Sequence, residues 1–250
     1  MAIDITGITN ENEFYTHHYL SAILENDLKD LFKEWNRKAD EEDIPQPYKK
    51  IRSLRKEYFA LQDALKRERN IEDRLALQRD FQAQFLLALG YEPYFTLVEL
   101  DDGISIPLIG GINKPDGSPE LWILEAADVY GEEHDPLEMQ LLKEQYPDDN
   151  EIQKILDIPL EEIITRRIFG HSEPPRWIVL LNSTQLLLLD RTKWHEKRLL
   201  RFNIREILDR RETTTLQAMA ALLHRDSICP KDGMPLLDTL DENSHKHAFA

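Results

Sequence analysis

The sequence predicts a mixed α/β protein: a helical N-terminal segment followed by a mixed sheet flanked by helices. Three observations carry this reading. Over the first ninety residues, apolar side chains recur every three or four positions, the period of helices that bury one face. From Pro93 the period changes to short apolar runs divided by turn residues, as in Tyr94–Leu100, Asp101-Asp-Gly103 and Ile104–Ile109. Helical spacing then returns at Ile204–Arg211 and Thr213–His224. The implied division is a helical segment over 1–90, an α/β core over 91–212, and a C-terminal helix and linker over 213–250.

Taken in order, Asn10 is placed to cap a first helix, with Glu13 three residues on to reach back. Leu24, Leu28, Leu31, Phe32 and Trp35 continue it, and the acidic, proline-bearing stretch Asp40–Pro47 ends it. Ile51, Leu54, Tyr58, Leu61 and Leu65 mark a second helix whose stripe suits a helical partner. A third runs from Ile71 to Leu89, with Leu77, Phe81, Phe85 and Leu89 on one face and Gly90 as its stop. After the hairpin, the dense turn Asn113–Pro119 leads into a strand at Leu121–Glu125. Gly131–Asn150 reads as an acidic excursion. Pro159–Phe169 reads as a short helix, with proline in its first turn and Gly170 past its end. Trp177–Asn182 and Leu186–Asp190 form a second hairpin across Ser183-Thr-Gln185, and the tail from Ser227 reads as irregular.

A chain of 250 residues can bury a substantial core as one large domain or two small ones. Its longest apolar runs, such as Leu186-Leu-Leu-Leu189, fall far short of the ~20 residues of a membrane span. The N-terminus lacks a basic-then-apolar signal, and the single cysteine, Cys229, excludes an internal disulfide framework. A cytoplasmic location without a membrane partner is the expectation.

The net charge of −16 argues against a protein coated with nucleic acid, yet the charge is uneven. Asp116–Glu162 holds fifteen acids against Lys143 and Lys154. Tyr48–Arg79 holds ten basic residues against five acids, and Arg191–Glu212 holds eight against four. Lys49, Lys50, Arg52, Arg55 and Lys56 form one candidate DNA-phosphate face. Arg198, Arg201 and Arg205 form another, since spacings of three and four would align them on one helix. Solvated helix faces laced with i,i+4 ion pairs account for the same charges.

Metal and nucleophile motifs are not encoded. Cys229 has no ligand spacing around it, His17-His18 lies on an amphipathic stretch, and Glu132-Glu-His-Asp135 is a run of adjacent charges in a loop. His245 and His247 have no partner motif, and Gly110-Gly111 lacks the strand–turn–helix context of a phosphate cradle. No Asn/Asp-Pro-Pro-aromatic segment for base methylation is present. No metal site and no bound cofactor are expected in this chain.

The strand at Leu121–Glu125 carries the sharpest chemical signal. Residues i and i+2 of a strand share a face, so a Glu-x-Lys triplet aims a metal-binding carboxylate and a water-positioning ammonium into one site. Glu125 is present, but the lysine position holds Ala127, and Asp128 would point to the opposite face of a continuing strand. An ordinary buried strand ending at an acid produces the same string.

The order of elements resembles the PD-(D/E)-x-K nuclease-like domains at the amino ends of restriction enzymes. It runs from a helix ending Phe85–Tyr91 through a hairpin and a strand ending at Glu125, then a helix, to the strand pair Arg176–Asn182 and Leu186–Asp190. The resemblance implies a restriction-endonuclease-like core over 91–212, in which two acids hold a divalent metal such as Mg2+ that activates water. Glu125 matches the second acid and Ala127 departs from the lysine. The first acid is missing from Ile104–Ile109, which leaves Asp116 and Glu120 as the acids a surviving nuclease would use.

Ile8–Leu20 and Glu242–Ala250 resemble the amino-terminal region of large bacterial type IIG and DISARM-like adenine methyltransferases of restriction–modification and phage defence. This implies a fragment or a separately encoded front part, with DNA and a downstream methyltransferase domain or other defence subunits as partners. S-adenosylmethionine would then belong to the parent protein. The expected function is an accessory nuclease-fold domain with degraded cleavage chemistry, positioning DNA or partner domains. Two alternatives stand beside it: a protein-docking module without DNA contact, and an active metal-dependent DNA endonuclease.

Overall fold

The computed structural model describes residues 5–16, 19–20, 24–129, 133–147 and 153–248. His17, His18, Glu132, the side chain of His247 and Ala250 lie outside the described residues.

A six-stranded sheet forms the centre. Its strands are β1 (Ile8–Glu11), β4 (Gly110–Asn113), β5 (Pro119–Glu125), β6 (Trp177–Leu181), β7 (Gln185–Asp190) and β8 (Leu199–Asn203), in the order β1-β8-β7-β6-β5-β4. Only β5 and β6 run parallel, with Leu121 opposite Trp177 and Glu125 opposite Leu181. All of β6 is buried, as expected for a strand covered on both faces. A separate hairpin pairs β2 (Thr96–Glu99) with β3 (Ser105–Leu108).

The two faces of the sheet follow its period of two. Leu121, Ile123, Val179, Leu181, Leu186 and Leu188 face a large helical layer. That layer contains α1 (Leu24–Asp27), α2 (Lys29–Glu41), α3 (Pro47–Ser53), α4 (Arg55–Arg67) and α5 (Ile71–Ala88). It also contains α8 (Ile204–Arg210), α9 (Thr213–Leu223), α10 (Arg225–Ile228) and α11 (Leu236–Ala248). Trp122, Leu124, Ile178, Leu180, Leu187 and Leu189 face a smaller layer. Between β5 and β6 lie α6 (Gln153–Leu156) and α7 (Leu160–Glu162), and α7 runs into a π turn at Ile163–Ile168. The smaller layer is built from α7 and this turn, with the β2–β3 hairpin against them.

Four expectations are corrected. Asn10 caps no helix: it lies in edge strand β1, paired with Leu200, and its side chain binds the backbone N–H and C=O of Tyr15. The second helix breaks at Leu54, because α3 packs on α9 while α4 packs on α5. Arg198, Arg201 and Arg205 share no helix, since Arg201 is in β8 and α8 starts only at Ile204. The tail from Ser227 is partly helical: α11 docks through the Tyr15 hydroxyl, which donates to Leu237 O at 3.1 Å, and through Ser244 on Thr16.

Candidate functional site

The polar centre of the molecule sits at the C-terminal ends of β5 and β6, where α5 crosses the sheet. Asn70 caps α5 by accepting from Asp73 N, and Gly90 stops it in the left-handed region at φ 85°. Besides Phe81 and Phe85, this helix buries Arg74, Gln78 and Gln82. These sit four residues apart and so share a face. Polar residues on the buried side are costly unless bonded, and two of the three are fully employed.

Glu125 ends β5 with its side chain 2% exposed. Arg79 Nε donates to both carboxylate oxygens at 3.2 Å, and Arg79 Nη2 donates at 2.9 Å. Gln145, in a 3-10 turn, donates to the Glu125 backbone carbonyl at 3.0 Å. Asp128 lies just beyond. Its carboxylate accepts from Arg74 Nη2 at 3.1 Å and from Ser183 Oγ at 2.8 Å, and Gln78 accepts from its backbone N–H. Arg74 also donates to the carbonyls of Leu65, Glu68 and Asp128. Two buried acids are therefore each held by an arginine of one helix, a charge-assisted arrangement of the stronger kind.

The strand stops at Glu125, so the opposite-face relation of a continuing strand does not apply to Asp128: the chain turns, and Asp128 meets the same helix that holds Glu125. Ala127 is buried. Asp116 lies in the exposed β4–β5 turn, where its carboxylate accepts from Ser118 N and Oγ; the Ser118 hydroxyl bond holds its pKa below the usual carboxylate value. Glu120 stands five residues before Glu125 on the same strand, about 16 Å away at a ~3.3 Å rise per residue. The structure thus brings Glu125 together with Asp128, Arg74 and Arg79, and not with Asp116 or Glu120. Both oxygens of Glu125 are engaged by a guanidinium.

The basic candidates divide. Lys49, Arg52 and Lys56 are exposed on α3 and the start of α4, with Lys50 half-buried beside them. Arg55 donates to Leu208 O at 3.1 Å and packs on the Phe59 ring, which ties α4 to α8. Arg201 is mostly buried and bonds Glu11, Asp135 and Gln185. Arg205 pairs with Glu133 at 3.3 Å, and Arg198 with Glu196. The acidic excursion folds back and neutralises part of the basic segment that the sequence set against it. Among the described residues, no three His, Cys, Asp or Glu gather as a metal site, and no helix is long and apolar enough to cross a membrane.

Gln82, third of the polar stripe on α5, is the exception. Both its amide atoms are buried and have no hydrogen-bond partner among the described residues, at a cost of about 1–3 kcal/mol for each unmet group. It lines a cavity of about 240 Å³ between α5 and the segment Pro93–Phe95. The Arg74-Gln78-Gln82 spacing was readable in the sequence as one face, but its polarity reads as a solvent face.

Comparison with protein families, with characterised proteins and with solved structures gives no match.

Proposed function

We propose that this chain is a nuclease-fold accessory domain without cleavage chemistry, of the restriction-endonuclease-like kind, which holds DNA or partner domains of a DNA-modifying defence system. The supporting observation is the Arg79–Glu125 ion pair. The carboxylate that would bind a metal accepts three guanidinium hydrogen bonds at the end of β5, and Ala127 stands where a lysine would position water. A divalent ion would have to displace the guanidinium from a side chain that is 2% exposed. The DNA contact in this reading belongs to Lys49, Arg52 and Lys56, because Arg201 and Arg205 are already paired with acids.

The protein-docking alternative is favoured by one observation: Leu87 in the last turn of α5, and Tyr94 and Phe95 after it, are each about half exposed. The two readings separate by fluorescence anisotropy of a labelled duplex in a salt titration. Three phosphate contacts give a slope of log K against log[salt] of about −2 to −3, and Lys49→Glu/Arg52→Glu/Lys56→Glu abolishes binding while Arg205→Glu leaves it in place. Absence of binding at low salt leaves the docking module. Incubation of the chain with duplex DNA and Mg2+ or Mn2+ is expected to yield no cleavage. Cleavage lost in Glu125→Ala would overturn the proposal.

A further inference from the structure

We propose that the pocket between α2, α3 and His224 binds a short-chain organic carboxylate, held by Lys38 and Lys50 beside Trp35. This role does not rest on the nuclease-fold reading. The lining sets Trp35, Pro45 and Pro47 next to Lys38, Lys50 and His224. Its volume of about 160 Å³ equals the liquid volume of roughly five waters at ~30 Å³ each. That space takes a carboxylate and a few carbons, and is too small for a peptide segment.

Charge selects the ligand class. In a chain of net charge −16, this pocket gathers cations around a largely buried imidazole. The His224 side chain is 16% exposed. Burial lowers its pKa, and the charges of Lys50, Lys38 and Arg225 lower it further against the opposing charge of Asp226. Like charges repel more strongly here than in bulk water, because the surroundings are less polar. The nearby acids do not balance them. Glu34 lies 3.9 Å from Lys38 Nζ but accepts from Arg37 at 2.8 Å and 3.0 Å. Lys50 makes no ion pair among the described residues. Asp226, the one acid of the lining, is 62% exposed and stands 3.9 Å from both His224 Nδ1 and Arg225 Nη1. A monoanion between the two ammonium groups supplies the missing counter-charge. Inorganic phosphate carries the charge but has no carbon body to lay on the proline and tryptophan walls, whereas the carbons of a carboxylate gain by leaving water there.

The site is linked to proton uptake. A bound carboxylate offsets Lys38 and Lys50, two of the charges that add to burial in holding the His224 pKa down. The ring then titrates at a higher pH, and by reciprocity the acid binds more tightly once the ring is protonated.

Acetate, propionate, butyrate and inorganic phosphate are titrated into the full chain at constant ionic strength and followed by NMR of the histidine rings. The variant His224→Asn assigns the His224 signal. The expected result is saturable binding of butyrate with a Kd of about 1–10 mM, tighter than that of acetate. With butyrate bound, His224 is expected to titrate at a higher pH. Lys38→Gln/Lys50→Gln should weaken binding about tenfold or more, while Lys66→Gln, an exposed lysine outside the lining, leaves it unchanged. No saturation by about 100 mM butyrate overturns the proposal, as does phosphate binding as tight as that of butyrate. A His224 titration unmoved by butyrate, or undiminished binding in the double variant, overturns it too.

Discussion

Arg79 Nε lies 3.2 Å from each of the two carboxylate oxygens of Glu125, so the guanidinium straddles the acid at the end of β5. Buried acids held this way contribute little net stability, yet removing one partner strands the other charge. Arg79→Leu is expected to destabilise the fold by about 2–3 kcal/mol, below the ~3–5 of a fully buried pair because Arg79 is 35% exposed. The double variant Arg79→Leu/Glu125→Leu should recover most of that loss in urea unfolding. Additive losses would show that the pair is not coupled.

Arg201 and Arg205 stand four residues apart but differ in what they hold. Arg201 ties edge strand β1 through Glu11 to the loop at Asp135, and Arg201→Leu should cost about 2–3 kcal/mol as acids lose a mostly buried partner. Arg205→Leu removes an exposed pair with Glu133 and should stay within about 0.5 kcal/mol. Equal effects in thermal unfolding would contradict this assignment.

His224 adds a pH dependence of known sign. Burial lowers its pKa from the ordinary 6.5; Asp226 opposes the shift and Lys50, Lys38 and Arg225 assist it. The unfolded chain therefore takes up the proton first, and stability present above pH 6.5 falls as the pH drops through that value toward the folded pKa. Its Nδ1 accepts from Asp226 N, a bond that favours the neutral ring. His224→Asn should flatten the stability profile between pH 7.5 and 5.5, and an unchanged slope would assign it to other groups.

Cys229 is buried, and burial pushes its thiol up to about 12. The thiolate is the nucleophile, so the folded protein at pH 8 should resist maleimide for hours and react stoichiometrically in urea. Mass spectrometry after a timed quench reads the outcome, and rapid labelling of the folded chain would mean a local opening at α10.

Much of the sheet was legible because its signals are local. Trp177–Leu181 and Leu186–Asp190 are continuous apolar runs with a polar turn between them, and they pair as the pattern predicts. The third helix was legible from its stripe and from Gly90, whereas its Asn70 cap came only with the structure. Strand β1 was not, because Asn10 and Glu13 mimic a capping box; the Asn10 side chain instead bonds a turn at Tyr15, and short polar side chains serve either structure. Aligning Arg201 with Arg198 and Arg205 requires a helix that begins before Asn203, and the five residues Leu199–Asn203 are too few for their period to tell strand from helix. Glu125 was singled out from the strand alone, but its partner Arg79 lies 46 residues away, a distance no local pattern reports. Gln82 was missed for the opposite reason: a polar residue in a helix reads as exposed until the fold encloses it.

The register of β1 against β8 also shapes how the chain must fold. Thr9 pairs with Arg201 and Glu11 with Leu199, while the Tyr15 hydroxyl reaches Leu237, 222 residues away. Contacts of such separation form only after long loops have closed, which slows folding. During synthesis, β7 and β8 can pair with each other as soon as both have emerged. Strand β1, made first, has no partner until β8 follows it. Its ladder groups stay unpaired until the chain has been made through Asn203, an interval in which a neighbouring chain or a chaperone can reach them.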